Sequence, residues 1–317
     1  MQSTTNDKQK DKCLWVKGGH GLGNRVLSLE TACRYASKNS LAVYVDWNDP
    51  IYEQSQNELF ELFELQGIRS IQKPIIENYN KTYPKDIRVF TYLDLTKLIT
   101  EKRVFPNLTP TLAPWRKYGR FKRRFRYLNS IKYAIRNGEF LDKLAQQYDL
   151  LCFCCSIPEN EPEHFRHVKI KINKIKGIFK DSNLTYLEND IGLHIRNTDK
   201  TSGNINKVVG CINKLLNEQP ELKTMHLATD SLNVIKLISS KFQDRLDIQI
   251  LNITRTEEPL HLRTKSKQEK NKELRDSMLD IYVLSQSKYL LFQENSSFSR
   301  FAIALQGNSN KCIDWTH

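Results

Sequence analysis

The fold is decided near the start of the chain by the stretch CLWVKGGHGLGNRVLSLETACRYASKNSLAVYVDW, which spans residues 13–47. It opens with an apolar run at 13–16 and a glycine-rich turn, after which apolar residues recur at helical spacing from 26 to 36. Residues 41–47 are rich in β-branched and aromatic side chains, as is typical of a buried strand. The order strand, glycine-rich turn, helix, strand is a βαβ unit, and it predicts a parallel sheet.

The same alternation continues to the C-terminus and predicts an α/β chain. We expect strands at 88–93, 150–155, 191–195, 224–228, 248–253 and 289–293, and helices at 59–65, 141–148, 205–216, 232–242, 278–285 and 297–306. The length of 317 residues suits two domains, and the acidic, proline-rich residues 156–163 suit a link between them. We therefore predict a disordered tail at 1–11, an N-terminal domain at 12–165 and a C-terminal domain at 166–317.

Composition and charge narrow the class of protein. Hydrophobic residues make up 39% of the chain, which excludes wholesale disorder. A formal net charge of +13 predicts an anionic partner, without distinguishing nucleic acid, membrane surface, nucleotide or acidic glycan. The seven cysteines follow no disulfide or zinc spacing, so we expect free structural thiols and a reducing compartment. With no signal peptide or membrane span in the sequence, we expect a cytoplasmic protein, free or peripheral at a membrane surface, and not a secreted one.

The glycine-rich turn, KGGHGLGNR at 17–25, is a candidate ligand site. Its glycines let backbone N–H groups approach a ligand, and the helix that follows favours negative charge at its N-terminus. Gly21, Gly23 and Asn24 are the candidate contacts. A tight turn without a ligand explains the same residues, and the spacing matches neither a complete dinucleotide-binding fingerprint nor a P-loop.

The segment IGLHIRNTDK at 191–200 carries the clearest chemistry. Strand alternation places His194 and Arg196 on one side, at the strand end where α/β proteins bind ligands. An arginine clamps a phosphate in bidentate fashion, and a histidine can donate to a second oxygen. Asp199 and Lys200 follow as a charged pair that we expect to face the cleft. A solvated loop with chance charges is the alternative.

The segment SQSKYLLFQENSSFSR at 285–300 predicts a strand that leads into a helix start. The strand delivers four polar residues to that start: Asn295, Ser296, Ser297 and Ser299. Hydroxyls and unpaired helical N–H groups together form an anion site, although an ordinary serine N-cap needs only one such residue. Asp280, on the preceding helix, has a carboxylate that can accept two N–H groups of guanine, or it is simply an exposed helical residue.

Taken in order, these segments resemble one enzyme family. The motifs are HIRNTDK at 194–200, LATD at 227–230, DIYVLSQ at 280–286 and NSS at 295–297. The ordered set resembles the α1,6-fucosyltransferase family, which includes the core N-glycan enzyme of animals and the rhizobial nodulation enzyme, within the wider protein O-fucosyltransferase superfamily. GLGN at 21–24 and VYVDW at 43–47 are also similar to the nodulation enzyme. Residues 50–165 show no match.

The resemblance implies a GT-B fold, in which two Rossmann-like domains face each other across a cleft. It implies inverting transfer of fucose from GDP-fucose to a hydroxyl of a glycan acceptor, with no metal and no further cofactor; the sequence also lacks a metal-binding Asp-x-Asp motif. By position it implies the following roles: Arg196 and His194 on the β-phosphate, Asp280 on guanine, Ser296 and Ser297 on the diphosphate and sugar, Asp230 in the donor cleft, Asp199 and Lys200 towards the acceptor. Arg196 and Asp199 are the expected catalytic residues.

Two departures from the family keep alternatives open. The core enzyme's general base is a glutamate, whereas an ungapped alignment places Asn204 there, and asparagine cannot take a proton. The base is then Asp199, a residue elsewhere, or absent. Asn197 also replaces the second arginine of the family pair. Another nucleotide-sugar donor, or a non-catalytic GT-B-like module that binds a polyanion or a membrane, are the alternative functions.

Residues 102–136 contain no acidic residue and interleave eleven basic side chains with aromatic ones. Such a segment suits an anionic membrane surface, a lipid-linked acceptor, a polar acceptor groove or simply a solvated basic helix that covers the N-terminal domain. No nucleic-acid-binding motif accompanies it, so we do not expect a nucleic-acid partner. The sequence leaves open whether the acceptor is linked to lipid or to protein, and it leaves the oligomeric state undetermined. We expect residues 255–275 to form a mobile loop at the donor cleft.

Overall fold

Two parallel β-sheets form the framework of the residues that the computed structural model describes. The described residues are 12–17, 21–47, 56–71, 87–90, 150–154, 165–197, 205–253, 266–307 and 311–316. The strands are β1 (Cys13–Lys17), β2 (Ala42–Asp46), β3 (Phe63–Leu65), β4 (Ile87–Phe90), β5 (Leu150–Cys154), β6 (Val168–Ile170), β7 (Ile191–Ile195), β8 (Thr224–Thr229), β9 (Asp247–Gln249), β10 (Tyr289–Phe292) and β11 (Cys312–Asp314). The helices are α1 (Leu22–Lys38), α2 (Gln56–Leu62), α3 (Ile172–Lys180), α4 (Ile205–Glu218), α5 (Leu232–Phe242), α6 (Lys267–Gln286) and α7 (Ser297–Gln306).

The first sheet has the order β2-β1-β5-β4 and the second the order β11-β10-β7-β8-β9, with every neighbouring pair parallel. This arrangement confirms the parallel α/β architecture that the βαβ pattern predicts. β7 is the central strand of the second sheet, and all five of its residues are buried. The polar residues that follow β7, beginning with Arg196, therefore lie next to the buried core.

The two sheets share part of their hydrophobic core through their helices. One buried cluster joins Val26 and Leu29 of α1 to Leu279 of α6 and Phe301 of α7. A second cluster lies within the second sheet and its helices α4 and α5. The division into domains at 165 and 166 stays a prediction. β6, assigned by it to the second domain, pairs antiparallel with β3 of the first.

One buried carboxylate anchors the chain where it passes from the first half to the second. Glu30 of α1 is fully buried and accepts hydrogen bonds from three consecutive backbone N–H groups. The donors and distances are Arg166 at 3.0 Å, His167 at 3.0 Å and Val168 at 2.8 Å. The Arg34 Nε donates to the same carboxylate at 3.1 Å. This joint fixes the start of β6 against α1.

The structure corrects three of the expected elements. The strand expected at 248–253 runs only from Asp247 to Gln249. The helix expected at 59–65 ends at Leu62, and the next three residues form β3 because their partner strand, β6, lies alongside. The loop expected at 255–275 is helical from Lys267, since Ser266 and Glu269 form a reciprocal capping box at the start of α6. The tail at 1–11, the helix at 141–148, the link at 156–163 and the basic segment at 102–136 lie outside the described residues.

The described cysteines are ordinary packed thiols. Cys13 and Cys33 are buried thiols, and Cys211 and Cys312 are half-buried thiols. Burial raises the pKa of Cys33 far above its usual range, and the charge of Glu30 adds to the effect. Burial likewise raises the pKa of Cys312 to about 11, so both thiols stay protonated at neutral pH. No helix in the described ranges is long and apolar enough to cross a membrane.

Candidate functional site

The candidate site lies at one edge of the second sheet, where three neighbouring strands end. β10, β7 and β8 are adjacent and parallel, so their C-terminal ends meet at the same edge. Arg196 follows β7, Asp230 follows β8, and Ser296 lies just after β10 at the start of α7. The structure thus brings together the segments that carry three of the sequence-predicted motifs.

Hydrogen bonds from both sides fix the backbone that carries Arg196. The side-chain Oε1 of Gln293, after β10, accepts from the Arg196 N–H at 3.0 Å. On the other side, the Oδ1 of Asp230 accepts from the Asn197 N–H at 2.9 Å. Gln293 is completely buried and Arg196 half-buried. The predicted phosphate-binding arginine therefore projects from a backbone held in place by its neighbours.

The ring of His194 is held by the first turn of α7. It stacks on Phe298 with 4.8 Å between ring centroids and 24° between planes. Its Nδ1 lies 2.6 Å from the hydroxyl of Ser299, which also accepts the backbone N–H of Gln293 at 3.2 Å. His194 is 6% exposed, so these contacts fix its orientation at the edge of the core.

The start of α7 has the properties of an anion site. Ser296 is its N-cap residue, but the side chain does not cap the helix, and its first turn contains no acidic residue. The Ser296 Oγ is buried and has no hydrogen-bond partner within the described part of the chain. A helix N-terminus without a carboxylate keeps its partial positive charge, which favours a bound anion.

The start of α1 meets the start of α7 at a glycine. A Cβ added to Gly23 would lie 2.4 Å from the backbone C and O of Ser297, which is closer than atoms can approach. The N-cap of α1, Gly21, provides no side-chain cap, and this helix also lacks an acidic residue in its first turn. Asn24 is half-buried in the same turn. Two helix N-termini without acidic residues therefore converge beside His194 and Arg196.

Asp280 is buried rather than exposed, which excludes the expectation of an ordinary exposed helical residue. Its Oδ1 lies 2.9 Å from Nε2 of His226 in β8, and the residue is only 5% exposed. His226 pairs in register with Gly192, two residues before His194. One turn earlier on α6, burial raises the pKa of Asp276, the charge of Asp280 adds to this, and Lys272 opposes it. Contact of Asp280 with a ligand stays a prediction.

The acceptor side of the prediction lies outside the described residues, because these do not include Asp199, Lys200 or Asn204. Two polar residues that sequence reasoning did not single out belong to the site region, namely Gln293 and His226. Both are marked in the sequence by their position: Gln293 directly follows the apolar strand YLLF, and His226 interrupts the apolar run of β8. A lone polar residue in a buried strand needs a partner, and both have one here.

Solved structures of similar fold include fucosyltransferases. The NodZ α1,6-fucosyltransferase, in a crystal soaked with GDP-fucose, is 16% identical with a TM-score of 0.55, covering 92% of this chain and 91% of its own. The chain has the fold of a fucosyltransferase. NodZ from Bradyrhizobium gives a TM-score of 0.56 at 16% identity, covering 92% of each chain. This agreement confirms, for the fold, the resemblance seen in the motifs.

Two further structures extend the likeness. POFUT1 in complex with GDP-fucose is 11% identical with a TM-score of 0.50, covering 97% of both chains. A variant of FUT1 from Arabidopsis thaliana in complex with GDP is 13% identical with a TM-score of 0.51, covering 93% of this chain and 68% of its own. Comparisons with protein-family models and with curated protein sequences found no match.

Proposed function

We propose that this protein is an inverting, metal-independent glycosyltransferase that moves fucose from GDP-fucose to a hydroxyl of a glycan acceptor. The observation that carries the proposal is the convergence of the α1 and α7 N-termini, neither capped by a side chain, beside His194 and Arg196. Structures of the same fold were determined with GDP or GDP-fucose, which supports this choice of donor.

The donor's diphosphate fits the charge of this region. Backbone N–H groups at the helix starts and the Arg196 guanidinium supply donors and positive charge, and the Ser296 hydroxyl has hydrogen-bonding capacity to spare. Asp280 is proposed to accept the N1 and N2 hydrogens of guanine, while Asp230 lines the donor cleft. We further propose that the two halves form Rossmann-like domains of the GT-B type.

The proposed reaction is one displacement at the anomeric carbon. The acceptor oxygen attacks as the bond between fucose and the β-phosphate oxygen breaks, so negative charge grows on the departing GDP. Arg196 and the N-terminus of α7 stabilise that charge, a role that metal ions fill in other enzymes. The proton of the acceptor hydroxyl passes to a base, for which Asp199 is the candidate.

Thermal unfolding tests the proposal. We expect GDP and GDP-fucose, with EDTA present, to raise the melting temperature more than UDP or CMP does. At a hundredfold excess over Kd, binding adds about 2.7 kcal/mol, which shifts the melting temperature by several degrees. Release of GDP on addition of a glycan acceptor then reports turnover. If no nucleotide shifts the melting temperature, the proposal is wrong.

Replacement of the proposed phosphate clamp gives a second test. We expect Arg196→Ala to weaken GDP binding by about tenfold to a hundredfold, because a charge-assisted bidentate contact is lost. Arg275→Ala is the matched control, since it removes the same charge from an exposed ion pair with Glu61. Its GDP affinity should stay within about twofold of the unmodified protein. Equal effects of the two changes would contradict the phosphate role of Arg196.

The second candidate is a non-catalytic module. Two residues favour it: Asn204 stands where the family has its glutamate base, and Asn197 where it has its second arginine. Such a protein would bind GDP or another polyanion without releasing a product. Stable GDP binding, with no turnover across a panel of glycans, would support this candidate over the enzyme.

A further inference from the structure

His226 and Asp280 form a buried pair between the second sheet and α6. Nε2 of the imidazole lies 2.9 Å from Oδ1 of the carboxylate, and the side chains are 0% and 7% exposed. Within the described residues this is the only hydrogen bond that either side chain makes. Nδ1 of His226 is buried and has no partner there. Among the described residues, the only hydrogen bond of either side chain is therefore the one that joins the two to each other.

The geometry of the pair indicates which ring nitrogen of His226 carries a hydrogen. Nε2 faces a carboxylate oxygen, which accepts only, so Nε2 carries a hydrogen. A second proton on Nδ1 would create a buried N–H with no acceptor, which native structures rarely contain. With an ionised carboxylate as its partner, Nε2 is the donor of this hydrogen bond and Oδ1 of Asp280 is the acceptor. A carboxylate has about four lone-pair sites, so one donor from His226 leaves Asp280 able to accept more hydrogen bonds.

We propose that His226 is a positioning residue that holds Asp280 as the acceptor for a base with two adjacent N–H groups, namely guanine. This inference rests on the proposed function and names the residue that sets its base specificity. Without His226, the buried Asp280 carboxylate would have no hydrogen-bond donor among the described residues. A buried charge without a donor becomes protonated or turns away, and either change removes the acceptor.

Base selectivity gives a readout that a merely structural role would not move. GDP and IDP differ only in the N2 amino group, which IDP lacks. We expect the unmodified protein to bind GDP at least about tenfold more tightly than IDP, as one lost hydrogen bond to a charged acceptor predicts. In His226→Leu we expect the GDP preference to fall to about twofold or less. His226→Gln places an amide N–H near the former Nε2 and should keep most of the preference.

Two controls make the outcome decisive. Arg196→Ala should weaken GDP and IDP equally, because it acts on the diphosphate and leaves the ratio unchanged. A nitrogen-15 NMR spectrum of the unmodified protein, with His226 assigned by its loss in His226→Gln, should show a neutral ring protonated at Nε2. The protonation state is read from the unmodified protein, and His226→Gln serves only to assign the signal.

Two results would overturn the inference while the proposed function stands. One is a His226→Leu protein that binds GDP with the unmodified preference over IDP. The other is a doubly protonated His226 ring in the spectrum. A protein that binds no guanine nucleotide at all would instead overturn the proposed function, and this inference with it.

Discussion

Two buried polar clusters meet on α1, and they differ in how completely their hydrogen-bonding groups are used. At Glu30, a single carboxylate accepts three backbone N–H groups and an arginine side chain. About two turns earlier, at Gly23, α1 meets the start of α7, where the buried Ser296 hydroxyl has no partner among the described residues. We call the Glu30 cluster closed, because the protein itself supplies its hydrogen-bond partners. We call the cluster at Gly23 and Ser296 open, because its hydroxyl has none among the described residues.

The difference separates a structural joint from a candidate binding site. The closed cluster satisfies its charge with the protein's own donors, so it has no capacity for a ligand and contributes only to stability. The open cluster leaves helix ends and a hydroxyl partly unsatisfied, which costs stability in the ligand-free protein. A diphosphate would supply the missing acceptors, and the interaction would then appear as affinity.

The largest expected effect comes from breaking the closed cluster. Glu30→Ala leaves the N–H groups of Arg166, His167 and Val168 without their acceptor, and we expect a loss of about 3–5 kcal/mol in the free energy of unfolding. Urea unfolding followed by circular dichroism measures it. Glu30→Gln, which keeps one carbonyl oxygen, should lose clearly less. A loss below about 1 kcal/mol in Glu30→Ala would show that the joint is not closed.

A smaller effect is expected where the two helix starts meet. Gly23→Ala forces a Cβ into the backbone of Ser297, so α1 and α7 must separate at a cost of about 1–3 kcal/mol. The same separation should weaken GDP binding, since the two N-termini no longer converge. Urea unfolding and calorimetric titration with GDP measure the two effects.

Gly210→Ala is the matched control for this change. Gly210 lies inside α4, and an added Cβ there meets nothing within 4 Å. Alanine should stabilise that helix by about 0.5–1 kcal/mol and leave GDP binding unchanged. If Gly23→Ala behaves like Gly210→Ala, the contact between the helix starts has no role in either stability or binding.

The sequence predicts the elements around the open cluster better than those around the closed one. β7, α5 and α7 have the predicted bounds, because apolar runs there end at strong signals such as the N-cap serines Ser231 and Ser296. β3 and β6 were not predicted. Each has only three residues, and each is a strand only because its partner, distant in sequence, pairs with it.

The candidate site, like the fold, was predictable only in part. The convergence of the loops after β7, β8 and β10 follows from the parallel sheet, because parallel strands end at one edge. The contact of Gly23 with Ser297 and the partnership of His226 with Asp280 depend on how helices pack. Residue pairs that meet only through packing leave no pattern along the chain, so a single sequence predicts neither contact.

The smallest expected effect compares two serines in the same helical position. Ser266 accepts from its own helix in a capping box, whereas Ser296 is buried and caps nothing. Ser296→Ala should therefore stabilise the ligand-free protein by about 1 kcal/mol, because a buried hydroxyl without a partner is removed, and it should weaken GDP binding. Ser266→Ala should destabilise by about 1 kcal/mol and leave GDP affinity unchanged. Unfolding curves with and without GDP measure all four values. Opposite signs for the two variants would establish that α7 keeps its N-terminus for a ligand, whereas the same sign for both would assign Ser296 an ordinary capping role.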